Sequence, residues 1–528
     1  MTKLKEIILN KKFLFLAYGI LIVLSCFGFE SRAYIPFYLA FAFFIGWLWF
    51  FDGEEKKEEL KLSRWLIIIP LVIVLVTRII PFIGAEAPLG YDTGIYKKTI
   101  ENFSEALPNL PQFSEGAWGG GESWGLYLST NLLSLVGFSG NQILYGYYIL
   151  LNLLLGLSIY VLVRRFFNAN AAILSLFIFA LSLTQFETYW MLYYKNIAAL
   201  FLMLMAFYLL AQKSWLVIPV AGFLGGLHQP TFLIFGLAMF FHFIFNPIRW
   251  RISSNGAGKE KRYHLISGVG ILAVAFSLYI HNPQAIFQFI SPDLQELVKT
   301  FGPGAGAGTF IDFNFYRQII TFYLPFAILG LIYLIKRGQF NYLFFYFIFN
   351  FAIVYFGLIF YNRFIVHLDV IVIILAGISA SYILARFLPT WTGKAAICIL
   401  LIGAVYILGT VVLNKKPLIS QEELAEIKSL SNLAKKDEYV MATDSYYSPW
   451  IYGYSERKTI APGLFEHNKW NKEKWAAFWF SPDLGLRHFL LDEYEKPIYL
   501  FVGDRQHQMD FSNDPRFEKI SERIWKYE

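Results

Sequence analysis

A single aspartate, Asp92, lies among glycines and tyrosines in the stretch Pro88-Leu89-Gly90-Tyr91-Asp92-Thr93-Gly94-Ile95-Tyr96. This stretch follows a long apolar segment, so Asp92 is expected just outside a membrane. A carboxylate in that place can deprotonate or orient a hydroxyl group. Asp92 could instead simply cap the helix that the pattern predicts from Thr93 onwards, although Gly90 and Gly94 favour the close approach of a ligand to the backbone.

Four further polar side chains stand where apolar segments end: Glu187, Lys195, His228 and Arg363. Arginine presents a planar fork of donors that matches phosphate, and a carboxylate at a membrane boundary is a site candidate by default. Each has a plainer explanation. Glu187 and Lys195 could form an ion pair within an interfacial belt of aromatic residues. Arg363 could extend its charge to the interface, and His228 could be a hydrogen-bonded structural residue.

The composition defines the class of protein that must position these groups. The chain has 528 residues, of which 57% are hydrophobic and 16% charged, and its mean hydropathy is +0.49. Because soluble domains are about a quarter charged, the chain is a polytopic membrane protein. The net charge of +7 does not indicate nucleic-acid binding, since the basic residues lie mainly in short loops between apolar segments. The two cysteines, Cys26 and Cys398, lie in apolar runs and are expected to be buried hydrophobes rather than a disulfide.

Apolar runs long enough to cross a bilayer predict about thirteen transmembrane helices. Lysine and arginine are concentrated in alternate loops, which places the N-terminus in the cytoplasm and the C-terminus outside a plasma (inner) membrane. The first run lacks the cleavage site of a signal peptide. The predicted spans are 12–29, 34–51, 64–83, 142–163, 170–186, 196–212, 214–228, 230–247, 264–281, 318–335, 341–360, 365–385 and 395–413.

The external loop 84–141 is too long to be a simple connection and must have structure of its own. The loop 84–141 contains two helical patterns, Thr93 to Leu107 and Trp124 to Leu135, that would lie along the membrane interface. The glycine-rich loop 282–317 does not match a phosphate-binding loop, because no strand precedes its glycines and no Lys-Ser/Thr pair follows. We expect it to be a flexible lid over an external cavity, with plain disorder as the alternative.

The composition changes at about residue 415, so the chain divides into a transmembrane domain, 1–414, and a soluble external domain, 415–528. A helix is predicted at Gln421–Ala434, and strands at Glu438–Thr443, Lys496–Val502 and Phe517–Tyr527, which indicates a small α/β domain. The tail is rich in aromatic residues, which stack on sugar rings and also pack at membrane interfaces. The fold class is therefore an all-α polytopic membrane protein with a small α/β extracytoplasmic C-terminal domain.

The layout of residues 64 to 212 resembles the type C (GT-C) glycosyltransferase fold. Its members take sugars from polyprenyl-phosphate donors and include protein O-mannosyltransferases, aminoarabinose transferases and oligosaccharyltransferase catalytic subunits. In this family a long first external loop carries an acidic residue, matched here by Asp92, and a short second loop carries another, matched by Glu187. A late external arginine that contacts the lipid phosphate is matched by Arg363. The chain departs from the family in lacking an Asp-x-Asp or Asp-Glu pair at Asp92 and a Trp-Trp-Asp signature in its tail.

The resemblance implies sugar transfer on the external face of the membrane. Asp92 would be the acceptor-activating base, and Glu187 would help by holding the acceptor or a divalent metal ion such as Mg²⁺ or Mn²⁺, if the reaction uses one. Arg363 and Lys195 would bind the lipid phosphate. The expected partners are the bilayer, a polyprenyl-phosphate sugar donor, and a glycan, lipid or protein acceptor. The remaining candidates for the same substrate-binding pocket are His228, Tyr91 and Tyr96.

Two other functions remain open from the sequence. A transporter or flippase of a lipid-linked sugar would favour ionisable or broken helices in mid-membrane, whereas the polar groups here gather at one face. A membrane anchor that presents the C-terminal domain would need neither thirteen spans nor a pair of carboxylates.

Overall fold

The computed structural model describes residues 62–83, 89–106, 124–245, 257–279, 310–358, 361–387 and 391–528, apart from 464, 466, 507, 508 and 510. The predicted spans 12–29 and 34–51 lie outside the described residues, as does most of the predicted lid 282–317.

Fifteen helices precede the C-terminal domain in the described part of the chain. They are α1 Ile68–Ile79, α2 Thr93–Glu105, α3 Gly125–Leu135, α4 Gly140–Phe166, α5 Ala169–Leu181, α6 Leu183–Trp190, α7 Tyr194–Ala211, α8 Val217–Leu227, α9 Gln229–Phe245, α10 Ala257–Ser277, α11 Phe313–Ile319, α12 Leu324–Lys336, α13 Tyr342–Tyr355, α14 Tyr361–Phe387 and α15 Trp391–Asn414.

Each of the eleven predicted spans within the described ranges corresponds to one helix or to a bent pair of helices. Five segments are long and apolar enough to cross a membrane, or seven if each bent pair is one span. The helices α8, α9, α10 and α13 contain apolar stretches of only 10–17 residues. The polytopic membrane fold is confirmed, and the number thirteen stays a prediction.

Two membrane segments are bent rather than straight. The helices α5 and α6 meet at 53°, and α11 and α12 meet at 93°. The first bend occurs because Ser182 adopts an extended conformation, and its hydroxyl accepts a hydrogen bond from the Gln185 amide at the start of α6. At the second bend Tyr323 precedes α12, whose second residue is Pro325. Neither bend is evident from the continuous apolar runs.

Helix α14 runs through the middle of the bundle. Every residue from Phe364 to Ala380 is buried, whereas Arg363 in the first turn is exposed. A helix that is apolar on all sides is expected to be surrounded by other helices, so α14 is the core of the membrane domain. Its first turn therefore presents Arg363 at one end of that core.

The C-terminal domain is built on a five-stranded sheet in the order β2-β1-β3-β5-β4. The strands β2, β1 and β3 are parallel to one another, and β5 pairs antiparallel with both β3 and β4. Its elements are α16 Gln421–Leu433, β1 Tyr439–Ala442, α17 Ser448–Tyr454, β2 Lys458–Ile460, α18 Lys472–Phe480, α19 Leu484–Leu491, β3 Ile498–Phe501, β4 Phe517–Lys519 and β5 Ile524–Tyr527.

The predicted helix and the first two predicted strands of this domain are confirmed. The third, Phe517–Tyr527, is instead a pair of short strands separated by a turn. Strand β2 was not predicted, because three residues are too few to show an alternating pattern.

Candidate active site

Asp92 occupies the residue before α2, but its side chain makes no capping hydrogen bond. The neighbouring Thr93 hydroxyl donates a hydrogen bond to the Leu89 carbonyl oxygen and likewise does not cap the helix. The charges that act on the Asp92 carboxyl group are those of Arg363 and Lys195. Asp92 is therefore not the simple helix cap that the sequence left open, and the structure brings it together with the two cations expected to bind phosphate.

Two opposing effects set the pKa of Asp92. Burial raises it, and the positive charges of Arg363 and Lys195 lower it. Burial dominates, so the pKa lies above the ordinary value of 3.8. A carboxylate with a raised pKa is a better proton acceptor than a solvated one, which suits a general base.

Tyr96 lies close to Asp92, Lys195 and Arg363, one turn along α2 from Asp92. Its hydroxyl accepts a hydrogen bond from the backbone amide of Lys195, and the charges of Asp92 and Arg363 act on it. Its ring packs 5.5 Å from that of Tyr194, centroid to centroid. Tyr96 thus joins α2 to the start of α7, where Lys195 lies.

His228 belongs to this group together with a histidine that sequence reasoning missed. The His228 Nδ1 atom is 2.7 Å from the Thr231 hydroxyl, and that hydroxyl is 3.2 Å from His367 Nε2. The charges of Lys195 and Arg363 also reach His228. His367 follows Arg363 by four residues, so both lie on one face of α14. Its position inside an apolar run hid it from the sequence pattern.

Glu187, the second predicted catalytic carboxylate, lies in a different setting. Its Oε2 atom forms an ion pair of 2.8 Å with Lys415 Nζ. Lys415 also lies 4.0 Å above the ring of Trp190. The expected ion pair with Lys195 is replaced by one with Lys415, because the end of α15 packs against the end of α6. The structure therefore places Glu187 at the junction with the C-terminal domain.

Tyr91, predicted to bind substrate, contacts the C-terminal domain. Its hydroxyl donates to the Ser445 carbonyl oxygen at 2.5 Å, and its ring lies 6.4 Å from that of Tyr446. Burial, with the nearby charges of Asp92 and Asp444, raises the pKa of Tyr91 to about 12. Tyr91 thus links the Asp92 loop to the loop after β1.

The prediction that Gly94 leaves room for a ligand is wrong. A Cβ atom at Gly94 would lie 1.8 Å from the Pro449 carbonyl oxygen, and Gly453 packs against the same spot. Lys97 donates to the Gly453 carbonyl oxygen at 3.2 Å and pairs with Glu101 at 2.8 Å. The absence of a side chain at Gly94 serves close packing between α2 and α17, so the C-terminal domain holds the Asp92 helix in place.

Gly90 is likewise packed against protein. It has a φ of +79°, and an added Cβ would meet the Leu192 side chain at 2.2 Å. A residue with positive φ is strained unless it is glycine. The glycines around Asp92 therefore serve its backbone geometry.

The side chains described around Asp92 do not form a set of ligands for a divalent cation. Within the described ranges no three His, Cys, Asp or Glu side chains group together as metal ligands. Two cations act on Asp92, and Glu187 is already paired with Lys415. Mg²⁺ prefers several oxygen ligands, which the side chains described near Asp92 do not supply.

A second buried carboxylate, Asp369 of α14, was also missed by the sequence. It accepts hydrogen bonds from Gln185 Nε2 at 2.8 Å and from the Ser182 hydroxyl at 2.9 Å, both at the α5–α6 bend. It also accepts hydrogen bonds from the hydroxyls of Tyr323 and Tyr316, which flank the α11–α12 bend. One carboxylate therefore fastens both bent segments to the helix that carries Arg363.

The bundle of bent and straight helices, followed by a terminal α/β domain, has the GT-C fold, as its similarity to solved structures shows. Comparison with protein-family models and with curated protein sequences gives no match. Solved structures do match, at identities low enough that they show the fold alone.

Among these is the archaeal oligosaccharyltransferase AglB from Archaeoglobus fulgidus, in complex with an inhibitory peptide and a dolichol-phosphate. It has a TM-score of 0.63 and 12% identity over 83% of this chain and 69% of that one. An Archaeoglobus fulgidus oligosaccharyltransferase in complex with Zn and sulfate has a TM-score of 0.61 and 13% identity over 83% of this chain and 68% of that one. ArnT from Cupriavidus metallidurans, bound to undecaprenyl phosphate, has a TM-score of 0.57 and 12% identity over 88% of this chain and 97% of that one.

Proposed function

We propose that this protein is an integral membrane glycosyltransferase that moves a sugar from a polyprenyl-phosphate donor to an acceptor hydroxyl or amine. The single observation that carries the proposal is that Arg363 and Lys195 both act on the partly buried carboxyl group of Asp92. A base beside two cations suits a reaction that deprotonates a nucleophile and releases a phosphate.

In the proposed reaction, Arg363 and Lys195 bind the phosphate of the lipid-linked sugar. The acceptor atom attacks the anomeric carbon and forms the new glycosidic bond, while the bond from that carbon to the phosphate oxygen breaks. The acceptor proton passes to Asp92, and polyprenyl phosphate leaves with both electrons of the broken bond. The two cations stabilise the charge that develops on the phosphate.

The histidines and Tyr96 complete the proposed pocket. His228 and His367 lie on either side of the Thr231 hydroxyl, on the same side of the bundle as Lys195 and Arg363. They supply polar groups of the kind that orient a sugar or a phosphate in an otherwise apolar pocket. Tyr96 positions Lys195 through its backbone amide.

Two observations support a lipid donor. The structures of AglB and ArnT that share this fold hold a dolichol-phosphate and undecaprenyl phosphate. In addition, the membrane domain has a cavity of about 230 Å³ with an almost wholly apolar lining that includes Leu181, Tyr323 and Leu400. An apolar cavity within a membrane domain suits an isoprenoid or acyl chain.

We place the reaction on the extracytoplasmic face. Asp92, Lys195 and Arg363 belong to loops that carry few basic residues, whereas the alternate loops are rich in lysine and arginine. The positive-inside rule then puts the proposed site and the C-terminal domain outside, in a plasma (inner) membrane.

A donor screen tests the proposal. The purified chain in lipid nanodiscs would be incubated with radiolabelled polyprenyl-phosphate sugars and with an extract of candidate acceptors. We expect one labelled donor to lose its sugar in a protein-dependent way, with release of polyprenyl phosphate. The Arg363→Gln variant should reduce the release. Intact donors across hexoses and pentoses, with an extract proven to contain acceptor, would contradict the proposal.

One observation favours a second function, the transport of a lipid-linked sugar. Asp369 is a buried ionisable group at two bent helix pairs, a feature of transporters. Sealed vesicles separate the two functions. A transporter moves the labelled lipid between leaflets with its sugar–phosphate bond intact, whereas a transferase breaks that bond in open and sealed membranes alike.

Removing the positive charge of Lys195 is expected to shift the pH dependence of transfer. Asp92 must be deprotonated to act as base, so the rate falls as the pH drops through its pKa. Lys195 lowers that pKa, and the Lys195→Gln variant should therefore move the acid limb of the pH–rate profile to higher pH. Lys213→Gln, beyond the other end of α7, is the matched control and should leave the limb in place. An unchanged acid limb in Lys195→Gln would contradict the coupling.

A further inference from the structure

Three large apolar side chains of the C-terminal domain are exposed within ten residues of one another. Phe480 is 80% exposed, Phe489 66% and Leu484 43%. We call Phe480, Leu484 and Phe489 the apolar edge. Among the described residues from 415 onwards, the other exposed large hydrophobic side chain is Leu433. Exposed apolar groups concentrated in this way mark an interaction surface.

The apolar edge is held by a well-packed support. In α18 and the segment before it, the rings of Trp475 and Trp470 are buried and lie 4.7 Å apart, centroid to centroid. Arg487 Nε donates to the Phe478 carbonyl oxygen at 3.1 Å, which joins α19 to α18. The exposure of Phe480 is therefore not the result of a loose segment.

The three side chains belong to the end of α18 and to the helix that follows it. Phe480 ends α18 and Leu484 begins α19 after a three-residue connection. Phe489 follows Leu484 by five residues on α19, and long side chains on a helix lean toward its N-terminus, which is the end that carries Leu484.

This surface lies on the side of the domain that meets the membrane domain. Trp479, next to Phe480, donates through its indole N–H to the Thr443 carbonyl oxygen at 2.6 Å. Two residues later, the Ser445 carbonyl oxygen accepts the hydroxyl of Tyr91. Tyr91 follows the span that ends at Phe82. The loop after β1 therefore contacts Trp479 through Thr443 and contacts Tyr91, near the membrane boundary, through Ser445.

A second set of contacts sets the same orientation. Lys415 pairs with Glu187, and the Trp190 indole donates to the Lys416 carbonyl oxygen at 3.1 Å. The domain therefore begins directly at the end of α15 and has no free tether that would let it stand away from the bilayer.

From this placement we infer that the apolar edge, Phe480, Leu484 and Phe489, dips into the headgroup region of the adjacent leaflet. Phenylalanine and leucine side chains at that depth leave water for the acyl boundary. Arg487 lies between Leu484 and Phe489 on α19, and an arginine in that place can reach lipid phosphates with its charged end. The C-terminal domain is then held by the lipid surface as well as by α2. This inference does not depend on the proposed glycosyl transfer.

Single spin labels in the full chain test the inference. The two cysteines, Cys26 and Cys398, would be replaced by alanine, and a nitroxide would be attached through Phe480→Cys or Phe489→Cys in lipid nanodiscs that contain anionic lipid. Glu495→Cys, an exposed position at the opposite end of β3, is the matched control. The readout is collision with molecular oxygen, which enters lipid, against collision with a nickel chelate, which stays in water.

We expect labels at 480 and 489 to collide more often with oxygen than with nickel, and the label at 495 to show the reverse. Equal nickel access at 480, 489 and 495 would overturn the inference. Protection from both reagents would overturn it too, because it would show that protein covers the surface. Thermal unfolding of each labelled variant confirms that it is folded, and the result is independent of any transferase activity.

Discussion

Replacing Asp92 with asparagine is expected to reduce sugar transfer by about 10²–10⁴-fold, the usual contribution of a general base. Asparagine keeps the size and hydrogen-bonding capacity of the side chain but cannot accept the acceptor proton. Because the Asp92 side chain makes no capping hydrogen bond, the helix should form equally well in the variant. The loss should therefore appear in the rate of transfer and not in folding.

The matched control for this prediction is Glu101→Gln. Glu101 is a carboxylate on the same helix, and its partner is Lys97 rather than the cations near Asp92. Transfer by Glu101→Gln should stay close to that of the unmodified protein. The measurement is release of labelled polyprenyl phosphate, with thermal unfolding as the check on folding. Full transfer by Asp92→Asn would mean that Asp92 is not the base.

Replacing Asp369 with leucine is expected to cause a large loss of stability in the membrane domain. Leucine removes the shared acceptor of four buried donors, which belong to Ser182, Gln185, Tyr316 and Tyr323. A buried donor left unsatisfied costs about 1–3 kcal/mol. The two bends should then no longer be fixed to α14, so binding of polyprenyl phosphate should weaken along with stability.

Asp369→Asn separates the two roles of this side chain. Asparagine keeps the volume and one acceptor oxygen of the side chain. The Asp369→Asn protein should therefore lose less stability than the Asp369→Leu protein. Thermal unfolding in detergent and binding of labelled polyprenyl phosphate measure the two effects. If Asp369→Leu unfolds at the temperature of the unmodified protein, Asp369 does not fasten the bends.

Much of the membrane fold could be predicted from the sequence, because each helix that crosses a bilayer must be a long apolar run. The topology also predicted that Asp92, Lys195 and Arg363 would share one face, since all three lie at the same ends of their spans. Their grouping in the structure agrees with that prediction. Their roles in catalysis stay predictions until the variants are measured.

The partners of individual side chains could not be predicted in the same way. Glu187 pairs with Lys415, 228 residues away, and Gln185 donates to Asp369, 184 residues away. Such pairs leave no periodic pattern in the chain. Asp369 and His367 were missed because the apolar residues around them identify a span and say nothing about which polar side chains face its interior.

The contact between α2 and α17 has a consequence for the order in which the protein is made. Lys97 and Gly453, which lie in that contact, are 356 residues apart. Ribosomes work from the N-terminus, so the helix after Asp92 is inserted long before its packing partner exists. A chain that stops short of α17 would have every predicted span but would lack the contact between α17 and the helix after Asp92. Synthesis of α17 is therefore needed before the Asp92 helix is fully packed, and products truncated before α17 should remain inactive in the membrane.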